Sequence, residues 1–345
     1  MSFKVKVLPG NQEFTVEAGQ TVLDAALEAG IFLPYSCRNG TCSTCAGRIV
    51  SGTWDAGDAP GRILESGDLS RGVTLLCQAR PGSDLVIEAE VLRVAGEIHV
   101  RKMPSRVIAI EDLAHDVRLV RLQLPASEPF LYRPGQFLDF IMRDGRRRSY
   151  SIANPPDAQN QIELHIRHMP GGAFTDHVFG AGDTALRLRE ILRVEGPLGS
   201  FFLREEDDAP VIFLASGTGF APVKAIIESM IAAGSRRPAT LYWGGRRPRD
   251  LYLHALAEQW VSDWPGFSYV PVVSEALPED GWTGRTGFVH RAVMEDCPDL
   301  SGHQVYACGT PIMVESARHD FIHYNKLARE AFFADAFTSE ADLVA

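Results

Sequence analysis

Apolar and polar residues alternate almost from the first position. FKVKVL (3–8) and EFTVE (13–17) carry the period-two pattern of half-buried strands. The period then changes: in TVLDAALEAG (21–30), Val22, Leu23, Ala26 and Leu27 share one helical face, and Gly30 predicts the stop. After a Cys-rich loop this block closes on DLVIEAEV (84–91), which predicts a mixed sheet with one helix across it. AGEIHVRKMPSR (95–106) reads as a linker. A second block is strand-rich with Gly/Pro turns: RVIAIEDL, VRLVRLQL, GQFLDFIM, IELHIRH and EILRVEGP. It predicts a small antiparallel barrel. The acidic joint Arg204 to Asp208 leads into a third block. There strands (VIFLAS, ATLYW, FSYVPVV, QVYACG) alternate with helices (PVKAIIESMIAAG, LHALAEQW, MVESARHDFIHY), the pattern of a parallel α/β sheet. The limits are 1–95, 104–206 and 209–338, and the closing SEADLVA reads as a loose tail.

Composition narrows the classes. The chain has 345 residues, enough for two or three domains, with 45% hydrophobic and 23% charged residues. The net charge of -10 comes without a basic block, which argues against nucleic-acid binding and favours a partner protein with a basic docking face. No run of about 18 apolar residues occurs, so no membrane span is expected. The N-terminus lacks the apolar core of a secretory signal, which makes the cytoplasm the expected location. There, clustered cysteines are metal ligands or catalytic groups more often than disulfides.

Cys37, Cys42 and Cys45 have C-x4-C-x2-C spacing, with Cys77 downstream, the spacing of plant-type [2Fe-2S] ligation. The loop PYSCRNGTCSTCAG is short and small-residued, so its backbone N–H groups can wrap around sulfide and thiolate. A structural zinc site favours paired CxxC units, and only one is present. The loop resembles that of plant-type ferredoxins nearly residue for residue. The resemblance covers the first block and implies a β-grasp ferredoxin domain with these four cysteines on the cluster.

In the second block RRRSYSIANPP follows a strand. Arg148 is a cation suited to bidentate phosphate contact, Tyr150 a flat apolar face, and Ser151 a donor, with Ser149 between them. In HIRHMPGGAFTDHVF, Gly171 and Gly172 permit close backbone approach, and Thr175 begins a predicted helix whose amides face phosphate. This pair of motifs, with EGPLGSFF, resembles the FAD signature of the ferredoxin-NADP reductase superfamily. The resemblance implies that Arg148 and Thr175 contact the FAD pyrophosphate, that Tyr150 packs on the isoalloxazine and that Ser151 lies near its reactive edge. His165, Ile166 and Arg167 then line the ribityl and phosphate path. FMN in place of FAD stays open. GAGDTALRLREILRV, between Phe179 and Glu195, is longer than the family pattern and reads as a surface loop insertion.

In the third block, VIFLASGTGFAPVKAIIESM is a strand, a turn of Gly217, Thr218 and Gly219, and a helix with Pro222 in its first turn. Free N–H groups there suit a pyrophosphate. Cys308 and Gly309 end another strand, which in an open α/β sheet lines the ligand crevice. By resemblance this pair meets the nicotinamide, with Cys308 near the carbon that gives up hydride. A buried core cysteine is the plainer reading of Cys308, and of Cys297 more so. Ser274 and Glu275 stand where NADPH-using members carry Ser-Arg. A carboxylate there repels a 2′-phosphate and accepts a ribose hydroxyl, which favours NADH, although Arg246, Arg247, Arg249 and Arg285 lie near in sequence. Members of the superfamily end on an aromatic residue that covers the flavin. Phe337 is the candidate, ahead of Phe332 and Phe333, with Asp335 poising the flavin edge.

The three modules in this order resemble ferredoxin-fused reductases over almost the whole chain. Two subgroups are similar: reductase components of multicomponent oxygenases, and CDP-6-deoxy-3,4-glucoseen reductases. The resemblance implies electron flow from NADH to FAD to the cluster to an electron-acceptor protein, with Ser151, Cys308 and Phe337 at the reacting rings. A stand-alone flavin reductase of small molecules is the alternative from another class, and a redox-sensing module is a third.

Overall fold

The protein is described from a computed structural model. The structure describes residues 1–57, 68–92, 98–206 and 208–337. The expected limits at residues 95 and 338, and the tail, lie outside them. The chain divides into two compact units, Met1–Glu97 with Ala334–Ala345, and Ile98–Phe333.

The first unit is a five-stranded mixed sheet crossed by one helix. Ser2–Leu8 pairs antiparallel with Gln12–Glu17 and parallel with Leu85–Glu88, and Ala46–Ser51 and Val73–Leu75 complete the order. Alternation puts Val5, Val7, Phe14 and Val16 inside, where they meet Ile87 and the helix. The helix Val22–Glu28 starts at Thr21, whose hydroxyl accepts from Asp24 N at 3.1 Å. Val22, Leu23, Ala25 and Ala26 are its buried residues; Leu27, expected on that face, is half-buried. Gly30 ends the turn at φ +74°.

The second unit begins with a six-stranded antiparallel sheet in the order Arg147–Ser151, Phe137–Ile141, Ile191–Leu198, Arg101–Ala114, Val117–Gln123, Gln161–Arg167. A bridge from Ile152 to Leu164 joins its two ends, closing a barrel over Val107, Leu122, Phe140, Ile166 and Phe174. One expectation is corrected here. The second half of the linker is strand: Arg101 to Arg106 pair with Gly196 to Ile191, and the buried Ser105 hydroxyl donates to Leu192 O at 3.1 Å. Of the long stretch after Phe179, residues 180–190 are a loop with a single 3-10 turn, Gly182–Thr184, anchored by the buried Leu186, while its last four residues belong to the strand Ile191–Leu198.

Parallel strands follow in the order Arg285–Thr286, Phe267–Val273, Ala239–Gly245, Val211–Ser216, Gln304–Gly309. Strand order reverses at Val211–Ser216, so the crevice of this open sheet lies between its carboxyl end and that of Gln304–Gly309. The expected helices are present as Phe220–Ala232, His254–Asp263 and Pro311–Tyr324. A further helix, Val289–Asp296, was not announced by the pattern. Among the described residues no helix is long and apolar enough to cross a membrane.

Candidate cluster and coenzyme sites

The Cys-rich loop coils because three residues take positive φ: Arg38 at +57°, Gly40 at +85° and Ser43 at +52°. A side chain on Gly40 would be strained in this conformation and would press on Gln78. The coil aims amides of Asn39 and Thr41 at the Cys37 sulfur and that of Gly40 at Cys77; Thr41 N lies 3.3 Å from Cys37 Sγ. No disulfide joins the cysteines. They stand as two thiol pairs. A hydrogen bond from Cys42 brings Cys37 down to about 6 and raises Cys42 in return. A hydrogen bond from Cys45 to Cys77 acts in the same way, lowering Cys77 and raising Cys45. Among the described residues no group of three or more His, Cys, Asp or Glu is placed to hold one metal ion. Four sulfurs divided two and two, with amides turned toward them, fit two irons bridged by sulfide.

Residues 334 and 335 reach this loop from the far end of the sequence. Ser36, directly before Cys37, donates its hydroxyl to Asp335 Oδ1, and Thr44, directly before Cys45, donates to Ala334 O at 3.1 Å. Asp335, expected at a flavin edge, therefore has its carboxylate on Ser36. Phe337 is half-buried at the end of the described residues. Phe333 stacks on Tyr306 at 4.8 Å and Phe332 packs near Phe321, which makes both packing residues.

In the barrel, strand alternation sorts the string at 147–151. Arg148 and Tyr150 are half-buried on one face, and Tyr150 leans on Phe174 at 5.4 Å. Ser151 is buried. Ser149 points the other way: its hydroxyl donates to Asp139 Oδ1 at 2.6 Å, so its side chain is not on the face of Arg148 and Tyr150. Along Gln161–Arg167 the same rule corrects the expectation for Ile166, and the cover of Tyr252 corrects that for His165. Ile166 is in the barrel core. The His165 ring is fully buried, between Tyr252 Oη at 3.0 Å and Glu163 Oε1 at 3.1 Å. Neither side chain lines an open path. Arg167 does reach outward, paired with Asp116 at 3.0 Å, and its guanidinium lies against Gly217. Thr175 shapes the turn before it, donating to Met169 O at 2.8 Å. Gly171 takes φ +86°, and a Cβ on Gly172 would sit 2.9 Å from Met169 O, so both glycines are needed for this turn.

At the parallel sheet the strand Val211–Ser216 runs into the 3-10 turn Gly217–Gly219 and the helix Phe220–Ala232. Gly219 packs directly on the backbone of Cys308, and Gly309, at φ +146°, lies against Ser216. Ser216 Oγ accepts from Thr310 N at 3.2 Å. The structure thus brings Gly217, Thr218, Gly219, Cys308 and Gly309 to one crevice; the Cys308 side chain is buried. Sequence reasoning missed Trp243, whose indole donates to Gly217 O at 3.1 Å and stacks on Phe220 at 3.8 Å, fixing the turn from below.

Ser274 and Glu275 continue the strand Phe267–Val273, their amides donating to Gly245 O at 2.9 Å and Arg246 O at 2.8 Å. Glu275 is exposed. Arg247 is held by Asp280 at 2.7 and 2.8 Å, and Arg285 by Glu295 and Asp296 at 2.5 Å each. Two of the four arginines near this edge are therefore spent on carboxylates. Phe288, 68% exposed, follows Gly287, whose amide donates to Val273 O at 3.0 Å.

Three family profiles match the chain: the 2Fe-2S iron-sulfur cluster binding domain over residues 5–82, the oxidoreductase FAD-binding domain over 104–203 and the oxidoreductase NAD-binding domain over 213–319. The CDP-6-deoxy-L-threo-D-glycero-4-hexulose-3-dehydrase reductase of Yersinia pestis is 41% identical over 98% of this chain and 99% of its own. The reductase component 1 of terephthalate 1,2-dioxygenase from Comamonas is 35% identical over 98% of both chains. The crystal structure of the Amycolatopsis cytochrome P450 reductase GcoB superimposes with a TM-score of 0.76 and 34% identity over 98% of this chain and 99% of that one. The β-grasp, barrel and parallel-sheet modules expected from sequence are those of these relatives. The cofactors are a [2Fe-2S] cluster, FAD and a nicotinamide dinucleotide. The chain belongs to the family of oxidoreductases that join a ferredoxin domain, an FAD-binding barrel and an NAD-binding sheet in one polypeptide and serve as reductase components.

Proposed function

We propose that the protein oxidises NADH and delivers the electrons singly to a partner protein, as the reductase component of a multicomponent oxygenase. The flavin supplies the conversion from a two-electron donor to one-electron steps, and the cluster the one-electron exit. The observation that carries this reading is the two-and-two grouping of Cys37 with Cys42 and Cys45 with Cys77 in the coiled loop, with Cys37 partly exposed. A flavin enzyme acting alone on a small molecule has no use for such a group. In the barrel, Arg148 supplies the cation for the FAD pyrophosphate, Tyr150 the apolar face and Ser151 the donor near the ring. The Gly217–Gly219 turn receives the dinucleotide pyrophosphate, Cys308 and Gly309 border the nicotinamide, and Phe288 offers its ring to the adenine. Reduction of a nucleotide-sugar dehydrase is the second reading, favoured by the 41% identity to the Yersinia reductase.

Anaerobic titration of the purified protein with NADH, followed by visible absorbance and low-temperature electron paramagnetic resonance, tests the relay. Bleaching of both chromophores with a reduced-cluster signal is expected. Flavin bleaching beside a cluster that stays oxidised overturns the internal transfer. Which partner is served follows from titrating the reduced protein against a Rieske oxygenase and against a CDP-6-deoxy-L-threo-D-glycero-4-hexulose-3-dehydrase.

Coenzyme preference rests on Glu275. With Arg247 and Arg285 already paired, replacing Glu275 with arginine should raise kcat/KM for NADPH relative to NADH by about fivefold, the upper scale of one exposed charge contact. An unchanged ratio removes Glu275 from coenzyme choice.

A further inference from the structure

Lys224 is a charged residue on the buried face of the helix Phe220–Ala232, among Phe220, Val223, Ile226 and Ile227. Its side chain is 9% exposed. The Nζ donates to Ala153 O at 3.0 Å and to Glu228 Oε2 at 3.0 Å, and lies 3.2 Å from Glu163 Oε1. Three acceptors use all three N–H groups of an ammonium. Ala153 follows Ser151 by two residues, and Glu163 precedes His165 by two. One ammonium therefore bonds both flavin-bearing segments of the barrel to the helix that starts at the Gly217–Gly219 turn.

A second line of contacts runs the same way. Glu163 accepts from Arg121 at 3.0 Å, and the His165 ring bridges Glu163 to Tyr252. Burial lowers the pKa of His165 and leaves it neutral, so Nε2–H donates to Glu163 while Tyr252 donates to Nδ1. Burial would raise Glu163, but the His165 hydrogen bond and the Lys224 charge outweigh it and bring it down to about 2. Tyr252 packs edge-on against Trp243 at 5.2 Å, and Trp243 holds Gly217. Buried ion pairs of this kind are often replaceable by apolar residues with no loss of stability. Their benefit then lies in geometry: an ammonium with three fixed acceptors sets a spacing that apolar contact leaves free to slide.

We propose that Lys224 is a positioning residue for hydride transfer, setting the distance between the barrel's flavin segments and the coenzyme turn. This rests on the assignment of those segments to FAD and NADH. Hydride transfer needs the two rings in near-attack contact, and a displacement of about 1 Å costs on the order of 100-fold in rate.

The test uses the full-length holoprotein in anaerobic stopped-flow, recording flavin reduction against NADH concentration. Lys224→Met should lower the limiting rate by about 10- to 100-fold. Bound FAD and the half-saturating NADH concentration should move by less than about threefold, and a primary isotope effect with 4-deuterated NADH should stay expressed. Lys326→Met, which removes an exposed lysine bonded to Asp299 and outside this network, should stay within about twofold of the parent rate. A limiting rate in Lys224→Met equal to the parent's, or reduced only in proportion to lost FAD, overturns the proposal. If Lys224→Met does not fold, Lys224→Arg decides: it keeps the charge but not the three-acceptor geometry, so a parental limiting rate overturns the proposal and a slowed one supports it. Should the parent flavin fail to accept electrons from NADH at all, the coenzyme assignment falls first and the proposal with it.

Discussion

Replacing Gly219 with alanine should cut NADH-dependent flavin reduction by about 100-fold or more while FAD and cluster stay bound. The cause is contact alone. A Cβ on Gly219 would sit 2.1 Å from Cys308 O, 2.5 Å from Cys308 C and 2.8 Å from Gly309 Cα, all backbone atoms with no rotamer to swing aside. Gly219 has an ordinary helical φ of -58°, so alanine meets no dihedral penalty there and improves helix propensity. Either the turn Gly217–Gly219 or the end of the strand Gln304–Gly309 must move, and both border the coenzyme crevice. Stopped-flow reduction by NADH, with dithionite as the control donor, separates the two outcomes. Slow reduction by NADH beside normal reduction by dithionite is expected; a parental rate at full FAD content overturns the placement of the crevice.

The second large effect is expected from Cys42→Ser. Cys42 is buried and hydrogen-bonded to Cys37, and a serine hydroxyl does not ionise to give the soft anionic donor that iron requires. The cluster absorbance and its paramagnetic signal should be lost, and reduction of a protein acceptor should fall to background. NADH-dependent reduction of ferricyanide, which takes electrons directly at the flavin, should stay within about twofold, because these residues belong to different folding units. Loss of both activities at native FAD content would show that the two sites do not work as separate stations.

Much of this was readable from residue order. Alternation in FKVKVL and IELHIRH announces the strands, Thr21 and Gly30 bracket the helix between them, and the spacing of Cys37, Cys42 and Cys45 names its ligand chemistry. What was hidden has a common cause: period-two patterning tells which residues share a face but not what covers that face. His165 and Arg167 share a side of their strand, yet one is sealed under Tyr252 and the other lies against Gly217. Ser149 lies next to Tyr150 in sequence, and the partner that claims it, Asp139, stands on the neighbouring strand. The strand at 101–106 was masked because Pro104 and its charged neighbours look like linker, although their register against Ile191–Leu198 is regular. Lys224 is the most informative of the residues that patterning hides. A lone lysine in an apolar helical run marks a buried acceptor set, and two of its three acceptors, Ala153 and Glu163, come from the barrel rather than from its own helix.

The contacts of Ser36 and Thr44 with Asp335 and Ala334 bear on how such chains can be recombined. They span 299 and 290 residues of sequence, and the unit they complete is assembled from both ends of the chain. A gene crossover at residue 97 exports the ferredoxin block without its last two partners. It leaves the buried Ser36 hydroxyl short of an acceptor, at a cost of about 1–3 kcal/mol beside a cluster ligand. A chimera that exchanges the iron-sulfur block between homologues therefore requires two breakpoints, the second just after Phe333, and a single-crossover library is biased against survivors at this junction.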